Sequence, residues 1–182
     1  MTSLVTRSAL LIVLYLGGQR PAQLARVRRE HIDLAAGTVM ILDPKGKRTA
    51  GPRQHLLPLP QKAVPIFRQL LQIANPSGLI FTNDGKVAVN VGTLSKAVTD
   101  ISKQMVNAGE ARSPFQMRDI RRTCETMFAA MKISQDLRAQ IQSHGLGGVQ
   151  NRHYDRHKYM DEKRAALEAW NNKLTSIRID AL

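Results

Sequence analysis

Fifteen residues, Met117 to Met131, constrain the fold more than any other stretch of the chain. At about 100° per residue, Met117, Ile120, Cys124, Met127, Phe128 and Met131 fall within roughly one 100° arc. A helix with that stripe must lie half-buried along a core, because it has one apolar side and one polar side. Arg121 falls at the edge of the arc, while Arg118 and Arg122 project toward solvent. An arginine on such a rim has its stem held by packing while its fork reaches outward.

The rest of the chain supplies elements for this helix to pack against. Leu4 to Leu16 reads as a largely buried helix stopped by Gly17-Gly18, and Pro21 suits the first turn of a second helix reaching about Val27. Arg20 therefore sits at a sharp helix-to-helix corner. Thr38–Leu42 and Gln54–Leu57 are strand candidates, joined by a connection from Asp43 to Arg53 that is punctuated by Gly and Pro and rich in basic residues. The expected result is a small antiparallel sheet with a basic hairpin tip.

Helices are expected at Gln61–Ala74 (Val64, Phe67, Leu70 and Leu71 at helical spacing), Val91–Val106 and Gln135–Gln142. Leu79-Ile80-Phe81 is a short buried stretch, and Asn107–Pro114 a polar loop. The loop His144–Gly148 follows, and a last helix spans about Met160–Leu174, with Met160, Leu167, Trp170 and Leu174 on one side. Ser176–Asp180 alternates polar and apolar like a short strand. The fold class is mainly α with a small antiparallel β-sheet (α+β), one domain over 1–174 and a tail over 175–182.

Charge narrows the partners. The 182 residues carry 27 Lys+Arg against 14 Asp+Glu, a formal net charge of +13. The excess is spread: 12 basic and 4 acidic side chains in residues 1–91, and 15 and 10 in residues 92–182. It belongs to the folded body, and a body this basic is suited to a polyanion. Aromatic residues are only 4%, too few for the stacking platforms of single-strand binders, so double-stranded DNA held through its phosphates fits better. A basic surface that only aids solubility is the plain alternative.

The longest apolar run, Ala9 to Leu16, falls short of the roughly 18–20 residues of a membrane span, and the first residues lack a signal peptide's basic flank. Cys124 is the only cysteine, which excludes disulfide frameworks and Cys-based zinc sites. A soluble cytoplasmic protein without membrane contact is expected.

Five spaced elements line up: Gly18-Gln19-Arg20-Pro21, the basic hairpin with Lys45, Arg118-Asp119-Ile120-Arg121-Arg122-Thr123, Ser143-His144-Gly145, and His153-Tyr154-Asp155-Arg156. Each is weak alone, but their order and spacing together resemble the catalytic domain of the tyrosine recombinase (phage integrase) family, from about Leu10 to Trp170. The resemblance implies Arg20 and Arg121 as the two catalytic arginines, Lys45 as general acid, His144 on the family's Gly-His position and Tyr154 as nucleophile. It further implies Lys47, Arg48, Arg53, Arg122 and Arg152 as DNA contacts, no cofactor, and a chain monomeric alone that forms a tetramer on DNA. Recombinases of this family carry an N-terminal DNA-clamping domain, so a fragment is expected, bacterial or phage-encoded and nucleoid-associated. The tail is expected to dock on its own sheet or on a neighbouring protomer.

The residue types suit that chemistry. Two guanidiniums fork-bond the equatorial oxygens of a phosphodiester, where charge grows in the transition state. A tyrosine hydroxyl in line attacks phosphorus and forms a phosphotyrosine. A lysine protonates the leaving 5′ oxygen. The covalent link conserves the bond energy, so rejoining needs neither ATP nor metal.

Two departures stand out. Arg118 replaces the family's histidine; it cannot act as a base but can still bond a phosphate, so it is kept among the catalytic candidates. The interval from His144 to Tyr154 is one residue longer than the family's. Tyr159 is the second candidate nucleophile, and Lys47 competes with Lys45. His144, His153 and His157 invite a metal reading, which no carboxylate or thiol completes. Relaxation of supercoils, as in type IB topoisomerases, and a degenerate, non-catalytic DNA-binding module are the alternative functions.

Overall fold

The computed structural model describes residues 2–43, 52–73, 75–143 and 159–179. Helix α1 (Leu4–Tyr15) begins at Ser3, whose Oγ accepts the amide of Thr6 at 3.2 Å, and buries Val5, Ala9, Ile12 and Val13. It stops where Gly17 and Gly18 both adopt positive φ (76° and 79°), and the Gly18 amide returns to the carbonyl of Val13 at 2.8 Å. Arg20 stands in extended backbone as the N-cap of α2 (Pro21–Leu24), with Pro21 in the first turn. This helix is shorter than expected, closing at Ala25 after one turn.

A 3₁₀ turn (Arg29–His31) leads into the antiparallel sheet β1 (Ile32–Asp33), β2 (Thr38–Asp43) and β3 (Arg53–Pro58), in that spatial order. β1 was not expected, since two residues carry no readable period. In β2 the burial alternates, with Val39, Ile41 and Asp43 inward. Their cross-strand partners are Leu57, His55 and Arg53, so one face grades from apolar pairs to a charged pair at the hairpin end.

Helices α3 (Val64–Gln72) and α4 (Val91–Asn107) cover further sides of the core. α3 starts three residues later than its apolar pattern suggests, because Pro65 belongs in a first turn and residues 60–63 form a separate turn closed by the Ala63 amide on the Pro60 carbonyl. The buried stretch at Leu79–Phe81 is tied to the turn after α2 by the Ile80 amide on the carbonyl of Val27. α5 (Met117–Ala130) buries Cys124 and Phe128 fully and packs Met117, Ile120, Met127 and Met131 partly, which is the arc read from the sequence. α6 (Gln135–Gln142) is capped by Ser134 and ends at Ser143 in the left-handed region (φ 57°).

The last helix, α7 (Met160–Ile179), corrects one expectation: residues 176–179 are helical, not a strand. Lys62 donates to the hydroxyl of Thr175, which itself donates to the carbonyl of Asn171, so the helix is held beyond Leu174 and extends cheaply from there. Trp170 locks α7 to α1, donating from Nε1 to the carbonyl of Leu14 at 2.8 Å while its ring meets Phe128 edge-on at 5.4 Å.

Candidate active site

The site assembles where the α1–α2 corner, the Asp43–Arg53 end of the β2–β3 pair and the C-terminus of α6 meet the first half of α5. The close approach of α5 depends on the two glycines. A Cβ at Gly18 would lie 2.8 Å from the Cα of Arg121, and one at Gly17 would lie 2.6 Å from the ring of Phe128. Glycine here both turns the chain and leaves room for the second helix.

Arg121 is fixed by two carbonyls from separate elements. Its Nη1 donates to the carbonyl of Gly18 at 2.8 Å, 103 residues away in sequence, and its Nη2 to that of Gln142 at 2.5 Å. The buried Gln142 amide reciprocates, donating to the carbonyls of Gly17 and Arg121 at 3.0 and 3.3 Å. Gln19 bridges the same helix ends, donating to Leu16 and Ile141 carbonyls. Burial, and then the neighbouring charge of Arg20, push the Arg121 guanidinium down to about 10. It stays cationic at neutral pH, and its anchor on the Gly18 carbonyl holds it two residues along the chain from Arg20.

Arg20 donates from Nη1 to Oδ2 of Asp43 at 3.4 Å. The same oxygen lies 3.5 Å from Nη2 of Arg53, which also donates to the hydroxyl and, at 3.4 Å, to the carbonyl of Ser143. The Asp43 side chain is 5% exposed against 28% and 34% for its two arginines, so a buried carboxylate lies under a half-open basic surface. Beneath it, His55 donates from Nε2 to the carbonyl of Ile141 at 3.0 Å; burial, with Lys163 nearby, lowers its pKa to about 3 and keeps it neutral. Cys124 is no nucleophile, since burial pushes its thiol up to about 12.

Of the expected site residues, Arg20, Arg53 and Arg121 come together. Arg118 and Arg122, on the first turns of α5, are exposed at 70% and 74% and flank Asp119 at 4.0 and 3.7 Å. Tyr159 precedes α7, and its carbonyl accepts the amide of Lys163. Lys45, Lys47, Arg48, His144, Arg152, His153, Tyr154 and His157 lie outside the described residues. Asp43 was not foreseen as a site residue; nothing in the local pattern separates it from an ordinary strand-end aspartate. Its inward register opposite Arg53 is the signal that a pairing of the two strands would have exposed.

The phage integrase family model matches residues 2–159, and the chain belongs to that family. Among solved structures, it is similar to an integrase from mycobacterium phage Brujita, with 19% identity, a TM-score of 0.65, and coverage of 92% of this chain and 52% of that one. A XerH site-specific recombinase bound to difH substrate in a pre-cleavage complex gives 18% identity and a TM-score of 0.59 over 80% of this chain and 42% of the other. A lambda integrase dimer bound to a COC′ core site gives 15% identity and a TM-score of 0.55 over 79% and 51%. At such identities the likeness establishes the fold, and this chain spans about half the length of those structures. No curated protein sequence matches it. Among the described residues, no helix is long and apolar enough to cross a membrane.

Proposed function

We propose that the chain is the catalytic domain of a site-specific DNA recombinase, which cleaves and rejoins duplex DNA through a 3′-phosphotyrosyl intermediate. The observation that carries this reading is the convergence of Arg20 and Arg121 on one corner, where Gly18 anchors the second arginine two residues before the first. Two guanidiniums held from different elements suit the two equatorial oxygens of one phosphate, and they are preorganised before DNA arrives.

In this mechanism the Tyr154 oxygen attacks phosphorus as its proton passes to solvent. A phosphotyrosyl bond forms, the P–O5′ bond breaks, and Lys45 gives the leaving oxygen its proton. Attack by the 5′ hydroxyl of the partner strand reverses the sequence and frees the tyrosine. His144 and Arg118 add donors to the phosphate, with Lys47, Arg48, Arg122 and Arg152 toward the flanking backbone. The working assembly is a tetramer on DNA, in the cytoplasm of a bacterial host. The similar XerH recombinase and lambda integrase structures, both bound to DNA sites, support DNA as partner.

The test uses a nicked duplex carrying the cognate site, recovered by selection from a randomised pool. A covalent protein–DNA band that disappears in Tyr154→Phe is expected. Tight binding with no covalent band would overturn the catalytic reading in favour of a DNA-binding module.

A further inference from the structure

Arg20, Arg53 and Arg121 bring three fixed positive charges to one place, and like charges so close repel one another unless something between them is negative. The only carboxylate that the described geometry puts on two of them is Asp43. Its position follows from β2: the alternation that turns Val39 and Ile41 into the core turns Asp43 inward as well, at the last residue of the strand. Cross-strand pairing then sets Arg53 directly opposite. The contact uses one nitrogen of each guanidinium, leaving the others of Arg20 for a further acceptor. Arg53 carries the link onward to Ser143, the left-handed residue from which the chain enters His144.

We propose that Asp43 and Arg53 form a positioning clamp for the catalytic arginine. The buried carboxylate holds Arg20 in its phosphate-binding pose and cancels part of the repulsion from Arg53 and Arg121. Arg53 ties that pose to the end of α6. Asp43 is thus a positioning residue, and Arg53 acts chiefly inside the protein rather than on the DNA backbone. The inference rests on the recombinase reading for its effect on cleavage, but the clamp itself is independent of it.

Two readouts separate the possibilities. In the first, nitrogen-detected NMR of the DNA-free protein follows the guanidinium groups, with Arg20→Lys and Arg53→Lys providing assignments. Slowed rotation of both groups is expected in the wild type, and its loss at Arg20 in Asp43→Asn. In the second, Asp43→Asn should cleave the nicked duplex about 100-fold more slowly, since a misplaced group of this kind costs that much, while DNA affinity holds or rises because one negative charge is gone. Asp43→Glu keeps the charge and serves if the asparagine variant fails to fold; it should show the same split more weakly.

Unchanged Arg20 rotation in the variant overturns the clamp. So does a parallel fall in melting temperature, affinity and cleavage, which is what a purely structural aspartate would give. A wild type that never forms a covalent complex would sink the recombinase reading, and the NMR result would then decide the clamp alone.

Discussion

The carbonyl of Gly18 accepts Nη1 of Arg121 at 2.8 Å, while the missing Cβ of Gly18 leaves room for the Cα of that same arginine. One glycine therefore ends a helix, admits a second helix and anchors its functional side chain. Gly18→Ala should combine left-handed strain (φ 79°) with a backbone clash that no rotamer relieves. The expected loss is about 3 kcal/mol of folding free energy, with a lower urea midpoint at unchanged slope. A stability within about 0.5 kcal/mol of wild type would show that α5 moves away freely.

Arg121→Lys tests whether the fork matters beyond its charge. Lysine keeps a cation but cannot span the carbonyls of Gly18 and Gln142 while also presenting a planar pair of donors. Cleavage of the nicked duplex should fall about 100- to 1,000-fold, the range for loss of one preorganised transition-state donor. Duplex affinity should change little, because the charge remains. Equal losses in affinity and rate would point to simple phosphate attraction.

The parts of this site that follow from local sequence were legible, and those that depend on pairing were not. The arc on α5 and the Gly17-Gly18-to-Pro21 corner are local, and the structure has Arg121 at the edge of the buried stripe and Arg20 at the corner before α2, as read. Asp43 was hidden because its importance comes from strand register, which puts Arg53 opposite and turns both inward. The 176–179 segment misled because alternation over four residues also fits a helix surface. The helix that runs into it is held by Lys62, more than a hundred residues earlier, on Thr175. Lys45, His144 and Tyr154 rest on the spacing of their motifs.

His55 makes stability depend on pH in a predictable direction. Its folded pKa, about 3, lies below the ordinary 6.5, so the unfolded chain binds the proton first as pH falls. The stability its neutral form allows is complete above pH 6.5 and declines from there to about pH 3, at on the order of 1 kcal/mol per pH unit within that window. His55→Gln, which retains a donor for the Ile141 carbonyl, should flatten this part of the curve in urea titrations between pH 7 and 4. If the two proteins run parallel with pH, then His55 is not buried as a neutral ring.

Arg122 offers the cleanest measure of how the excess charge is used. It is 74% exposed, and its closest ion pair, with Asp119 at 3.7 Å, is worth little in water. Arg122→Ala should therefore leave the melting temperature within about a degree or two, since surface changes of this kind shift stability by no more than about 0.5 kcal/mol. If its side chain meets a phosphate, the slope of log affinity against log salt should become shallower by about one for all duplex sequences alike. An unchanged slope would place Arg122 off the DNA-facing side of α5. The same measurement on Arg118→Ala, one turn earlier on the same face and equally open, then separates the roles of these two neighbours: a smaller slope with normal cleavage makes Arg118 a backbone contact, and an unchanged slope with slowed cleavage makes it a donor to the scissile phosphate.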